Sequence, residues 1–123
     1  MNSFRGYIDF EIGGEIRPVK FDFNTLADIS DKHGLSLTEL RNLDSKRMTA
    51  TVLRTLVWSG LVHGARTAGK DVDFTLEDVG SWVGELMKSN RLVELLTTYG
   101  KAVGGPDAAT GAKKKTRAVT SGK

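Results

Sequence analysis

The chain has 123 residues, which is enough for one domain with its own hydrophobic core. Hydrophobic residues make up 39% of it and cysteine is absent, so thiol catalysis, disulfide scaffolds and cysteine-ligated zinc are excluded. The net charge of +3 is uneven: residues 104–123 carry five basic residues against one acidic, and the other 103 residues carry 13 basic and 14 acidic. The body is therefore nearly neutral, whereas a nucleic-acid-binding domain is expected to carry a basic patch on its folded body.

Two segments near the N-terminus, residues 7–12 and 16–23, alternate apolar and polar side chains, which predicts two half-buried strands. Gly13 and Gly14 lie between them and suit the positive φ angles of a tight hairpin turn. Pro18 has no N–H to donate, so the second strand is expected at a sheet edge. Phe21 and Phe23 are expected on its apolar face. A lone hairpin is marginal in water, so this face should pack on helices.

From Asn24 the apolar spacing becomes helical, with Asn24 as the predicted N-cap and Gly34 as a left-handed stop. Ser36 and Glu39 fit a capping box that opens a short helix reaching Leu43. The longest predicted helix follows over residues 50–67, capped by Thr49 and ended by Gly69. Its apolar and small stripe consists of Val52, Leu53, Leu56, Val57, Gly60, Leu61 and Gly64.

Thr75 is predicted to start another helix, and Ser89 or Asn90 to start a last one that extends to Val103. After Gly104 the large apolar residues end, and a segment of this composition cannot bury enough surface to offset its ordering entropy. The sequence therefore predicts a mainly α, α+β domain over residues 1–103, with an N-terminal hairpin packed on four to five helices. Residues 104–123 are predicted to be a disordered tail rich in Gly, Ala and Lys.

We find no pattern that indicates a catalytic, cofactor or metal site. Asp71, Asp73, Thr75 and Glu77 have the every-other-residue spacing of the ligands in a calcium-binding loop. However, Leu76 stands where that loop needs a glycine, and Trp82 where it needs a glutamate. His63 has no carboxylate or second histidine three or four residues away, and His33 falls in the last turn of a helix, so structural roles are expected. We expect a protein that is not an enzyme and needs no cofactor.

Several features bear on binding and packing. The Gly60 and Gly64 pair is expected to let another element approach the helix backbone closely. The two tryptophans, Trp58 and Trp82, lie beside their helices' apolar stripes and either widen the core face or anchor a partner. The candidate partner-binding residues are Trp58, Val62, Trp82 and Met87.

The order of three segments resembles a known family. "RPVKFDFNTLADISDKHG" (residues 17–34) runs from a strand into a helix, "LVWSGLVHGAR" (56–66) lies in a long helix, and "DVDFTLEDVGSWV" (71–83) opens the next. Together they resemble the tail assembly chaperones of long-tailed bacteriophages and related prophages.

This resemblance implies a protein that binds the tape measure protein, promotes assembly of tail tube protein around it, and is absent from the mature virion. Many such chaperones also have a longer form made by programmed ribosomal frameshift, and residues 112–115 could be encoded by an A-rich slippery run. The lysines there could equally be a solubilising tail. Self-association stays open.

One alternative is a nucleic-acid-binding or phage structural adaptor protein that uses its basic tail. The tail residues concerned are Lys113, Lys114, Lys115 and Arg117. The N-terminus lacks the apolar region of a secretory signal, and the longest uncharged run, residues 55–65, is too short for a membrane helix. We therefore expect a soluble protein of the host cytoplasm.

Overall fold

A computed structural model describes residues 6–41 and 48–103. In these residues the chain forms a hairpin followed by helices, in the order β1 Tyr7–Ile12, β2 Glu15–Lys20, α1 Phe23–His33, α2 Leu37–Arg41, α3 Ala50–Thr67, α4 Leu76–Lys88 and α5 Leu92–Val103. The predicted fold class, mainly helical with an N-terminal hairpin, is confirmed. Leu43 and the predicted tail, with Lys113, Lys114, Lys115 and Arg117, lie outside the described residues.

The hairpin has the predicted tight turn. Gly13 and Gly14 have φ angles of 66° and 84°, and β1 pairs with β2 in antiparallel register from Tyr7–Lys20 to Ile12–Glu15. The Phe21 N–H donates to the Gly6 carbonyl at 2.7 Å, which makes Gly6 and Phe21 a hydrogen-bonded pair. From this pair towards the turn, non-hydrogen-bonded and hydrogen-bonded residue pairs alternate. Pro18 consequently occupies a non-hydrogen-bonded position, where its missing N–H costs no ladder bond.

The strand-to-helix junction differs from the prediction. β2 ends at Lys20, and Asp22 rather than Asn24 is the N-cap of α1. The Asp22 carboxylate accepts the Asn24 N–H at 2.9 Å, and the Thr25 hydroxyl accepts the Asp22 N–H at 3.1 Å. Because the chain has already turned into a helix, Phe23 leaves the strand's apolar face and is exposed, while Phe21 is buried as predicted.

The other predicted helix starts are largely confirmed. Ser36 and Glu39 form the capping box of α2, Thr49 caps α3, and Thr75 closes a capping box with Asp78 at the start of α4. The exception is α5, which begins at Leu92 rather than after a cap by Ser89 or Asn90.

The helix ends explain that exception. Gly34 adopts the predicted left-handed conformation after α1, with φ 68°, and Gly69, the predicted end of α3, is also left-handed, with φ 72°. Asn90 does the same after α4, with φ 63°, and the Arg91 N–H closes back on the Leu86 carbonyl at 2.9 Å. Ser89 and Asn90 therefore end α4 instead of starting α5.

α3 lies at the centre of the fold and packs against β2, α1 and α4. Its predicted stripe is the core: Leu56, Val57 and Leu61 are buried, and Leu53 packs partly buried against them. A side chain at Gly60 would overlap the Phe21 ring. A side chain at Gly64 would likewise overlap the Pro18 carbonyl. The predicted close approach at the glycine pair is thus confirmed, and the approaching segment is β2 together with Phe21, the residue that follows it.

No helix in residues 6–41 and 48–103 combines the length and apolarity needed to cross a bilayer.

Candidate partner-binding surface

The four residues predicted to bind a partner do not form one surface. Val62 is only 3% exposed and belongs to the core, so it is not available to a partner in this structure. Its burial follows from the position of α3, which is covered on several sides by β2, α1 and α4. Met87, near the end of α4, is exposed, and Trp58 and Trp82 are half-buried against the core.

Trp82 holds the hairpin against α4. The guanidinium of Arg17 lies 4.6 Å from the Trp82 ring and 5.5 Å from the Phe74 ring, and the two rings are 5.8 Å apart. A side chain at Gly13 would overlap the Trp82 indole, so the ring also lies against the hairpin turn. Cation–π contacts of this kind contribute more when they are shielded from water. The position of Trp82 indicates a structural clamp rather than an anchor for a partner.

Arg17 is the centre of this cluster and is a residue that the sequence analysis missed. Its Nε donates to the Ile12 carbonyl at 3.0 Å, and its two terminal nitrogens bind Glu15 and Asp73 at 3.1 Å each. The Arg17 side chain is 12% exposed. Its position in the alternation of β2, two residues before buried Val19, places it on the core face and was the signal that could have identified it.

Trp58 lies on α3 beside α1. The Lys32 ammonium is 5.7 Å from the Trp58 ring centroid, a distance at which a cation and a ring attract each other modestly. Trp58 and Trp82 therefore contact different neighbours, Lys32 in α1 and Arg17 in the hairpin.

A serine, a histidine and an aspartate meet between α1 and α3. The Asp28 carboxylate accepts the Ser59 hydroxyl at 2.7 Å and the His63 Nε2–H at 3.0 Å, both on the same oxygen. Ser59 is fully buried. The serine proton is directed at the carboxylate rather than at the imidazole, so the histidine is not placed as a base for the hydroxyl.

The cluster therefore ties two helices together. Asp28 is 35 residues from His63 in sequence, which is why no helical spacing indicated the pair. His33 makes a second tie between α1 and α3, with its Nε2 2.8 Å from the Thr55 hydroxyl oxygen. Both histidines thus join α1 to α3, and a structural role for them stays a prediction.

An open cleft lies between the start of β2, α3 and the loop that joins α3 to α4. Its volume is about 230 Å³, smaller than the roughly 300–1,000 Å³ typical of small-molecule sites. That size suits one or two side chains inserted by a macromolecule. Its lining residues are Glu15, Ile16, Arg17, Pro18, Leu61, Ala65, Lys70, Asp71, Asp73 and Phe74.

The lining divides into an apolar part and an acidic rim. Ile16 is 66% exposed at the cleft, and Val72, in the same loop as Asp71 and Asp73, is also exposed. The acidic rim consists of the three exposed acidic residues of the lining, Glu15, Asp71 and Asp73. An exposed isoleucine beside such a rim makes this cleft the candidate site for a partner.

Within the described part of the chain, no three side chains of His, Cys, Asp or Glu gather closely enough to hold a metal ion. Comparison of the chain with protein-family models, curated proteins and solved structures finds no match in any of the three.

Proposed function

We propose that this protein is a phage tail assembly chaperone that binds apolar helical segments of a tape measure protein in the host cytoplasm. On this proposal it keeps the tape measure protein soluble while tail tube subunits assemble around it, performs no catalysis, and is not part of the finished virion. The proposal rests on the resemblance of residues 17–34, 56–66 and 71–83 to that family.

The structural observation that carries the proposal is the cleft beside Ile16. A long helical partner that aggregates in water needs an apolar surface to cover its own apolar face. The exposed Ile16 lines this cleft and offers apolar surface without any rearrangement of the core. Binding there requires only that a partner insert side chains between β2 and the α3–α4 loop.

The test is co-expression with the tape measure protein that this proposal expects to be encoded beside this chain. We expect the soluble yield of the tape measure protein to rise severalfold with the full chain, and a complex to survive moderate salt. A small soluble helical protein without relation to it serves as the control. Equal solubility with the control protein, and no complex on size exclusion, would end the proposal.

A second candidate is an adaptor that binds nucleic acid through its tail. The observation that favours it is the concentration of positive charge in residues 104–123, where five basic residues face one acidic residue. Phosphate contacts lose affinity steeply as salt rises, so such binding should disappear by about 300 mM salt. It should also disappear when the chain is truncated after Val103, whereas binding at the cleft should persist.

The same proposal includes a longer form of this protein made by programmed ribosomal frameshift. If residues 112–115 are encoded by a slippery run, synonymous recoding should remove a longer product and leave the 123-residue protein unchanged. An unchanged pattern of products after recoding would show that the lysines act as side chains. Lysine-to-alanine substitutions, which keep the chain length, would then test that role.

A further inference from the structure

The charges around the cleft determine what kind of segment it can take. In Glu15 and Asp73 one carboxylate oxygen binds Arg17, and both side chains are largely exposed, so their second oxygens face solvent. Asp71, which is also exposed, is the third acidic residue of the rim. Arg17 is already held by two of these carboxylates and largely buried, which leaves Lys70 as the exposed cation of the lining.

Arg17 also keeps the rim in place. Its two terminal nitrogens hold Glu15 from β2 and Asp73 from the loop, and the Phe74 and Trp82 rings flank the guanidinium. Carboxylates held in this way lose little conformational freedom when a cation binds to their free oxygens. Two of the three acidic residues of the rim are thus preorganised next to an exposed isoleucine.

The backbone beside the cleft disfavours an added β-strand. Among the β2 residues that line the cleft, Ile16 and Pro18 are those whose backbone groups point away from β1. Pro18 has no N–H, and its carbonyl lies against the backbone of Gly64. Along the cleft an extended partner would gain ladder bonds at Ile16 alone, so the geometry favours insertion of side chains from a helix.

From these observations we infer that the cleft binds a basic amphipathic helix, in which a leucine or isoleucine enters beside Ile16 and a neighbouring lysine or arginine meets the rim of Glu15, Asp71 and Asp73. This deepens the proposed function because it states which segments of a tape measure protein would bind. The cleft itself would bind such a helix whatever protein carried it.

The first experiment uses synthetic helical peptides and the full chain, with methyl NMR signals of Ile16 and Val72 as the readout. A leucine–lysine peptide should shift both signals saturably, and a leucine–glutamate peptide of equal length should bind at least about tenfold more weakly, because like charges oppose it at the rim. Equal binding of the two peptides, or shifts that avoid Ile16, would overturn the inference.

Matched variants locate the binding. Ile16→Ser should weaken binding of the leucine–lysine peptide by roughly tenfold or more, because buried apolar contact is lost. Asp71→Lys should weaken it by about three- to tenfold at low salt. Val93→Ser on α5, where Val93 is 60% exposed, and Asp31→Lys on α1, where Asp31 is exposed, should have little effect. Equal losses in the control variants would mean that the peptide binds nonspecifically and would overturn the inference.

The same variants separate this inference from the proposed function. If the peptide binds as expected but the tape measure protein is not solubilised, the site stands and the chaperone proposal fails. If the tape measure protein is solubilised equally well by the Ile16→Ser and Asp71→Lys proteins, the chaperone proposal stands and this cleft is not its site.

Discussion

The backbone of Gly64 in α3 lies directly against the carbonyl group of Pro18 in β2, and a Cβ atom at Gly64 would overlap that carbonyl. The contact brings the hairpin onto the helix backbone, with Val19 and Phe21 filling the space beside it. Within the helices, Gly84 and Gly100 are different, because an added Cβ there would meet no atom within 4 Å.

Alanine substitutions at these three glycines should therefore change the free energy of unfolding in opposite directions. Gly64→Ala should lower the free energy of unfolding by about 1–3 kcal/mol, because the methyl group forces β2 away from α3. Gly84→Ala and Gly100→Ala should raise it by about 0.5–1 kcal/mol each through better helix propensity. Urea denaturation of the three variants measures these differences, and a Gly64→Ala protein as stable as Gly84→Ala would contradict the packing described above.

Arg17 is expected to fix the hairpin against α4. Arg17→Lys keeps the charge but loses the fork that joins Glu15 and Asp73 and the stacking on Trp82. Because both carboxylates are largely exposed, the expected loss in unfolding free energy is modest, about 1–2 kcal/mol. Trp82 fluorescence should change as well.

Arg66→Lys is the matched control, since Arg66 is exposed in the last turn of α3. Its unfolding free energy should stay within about 0.5 kcal/mol of the parent protein. If Arg17→Lys behaves like Arg66→Lys, the cluster around Trp82 does not hold the hairpin.

Removing one partner of the polar cluster between α1 and α3 should lower the free energy of unfolding. Asp28→Ala removes the acceptor for Ser59 and leaves a fully buried hydroxyl without its hydrogen bond, which costs about 1–3 kcal/mol. Adding Ser59→Ala to that variant should recover part of the loss. A double-mutant cycle measures the coupling, with Asp31→Ala, an exposed aspartate of the same helix, as the control. Additive effects of the two substitutions would show that the bond contributes nothing.

Burial raises the pKa of Tyr99 from 10.0 to about 12. In the unfolded chain the phenol ionises near pH 10, whereas in the folded chain it keeps its proton to a higher pH. The folded state therefore binds more protons between about pH 10 and 12, and stability should fall as pH rises through this window. Its hydroxyl also donates to the Leu40 carbonyl at 3.3 Å.

Tyr99→Phe should flatten that part of the pH dependence, at a cost of about 0.5–1.5 kcal/mol at neutral pH for the lost hydrogen bond. Unfolding free energies of both proteins from pH 8 to 12 give the comparison. Because lysines also ionise in this range, the contribution of Tyr99 is given by the difference between the two curves. Parallel curves would mean that Tyr99 does not ionise differently in the two states.

The junction after the hairpin shows where local patterns compete. Asp22 and Asn24 are both good N-caps, and the sequence pattern alone favoured Asn24. The pairing of Phe21 with Gly6 decides between them, because the chain can leave the hairpin only after that bond. Asp22 is the next residue, so it becomes the cap and Phe23 turns outward.

The sequence by itself determined the features that depend on neighbours a few positions apart. The turn at Gly13 and Gly14, the stop at Gly34 and the caps at Thr49 and Thr75 are satisfied by atoms within one or two turns of chain. The periodicity of α3 likewise indicates which of its faces is buried, because burial follows the helical repeat.

Only the tertiary structure decided which remote groups meet. Arg17 binds Asp73 across 56 residues and Asp28 binds His63 across 35, and no local spacing encodes either pair. The same packing buried Val62 and left Ile16 exposed at a cleft, although both are β-branched apolar residues. The surface open to a partner depends on how β2 and the α3–α4 loop pack around α3, which is a property of the whole fold.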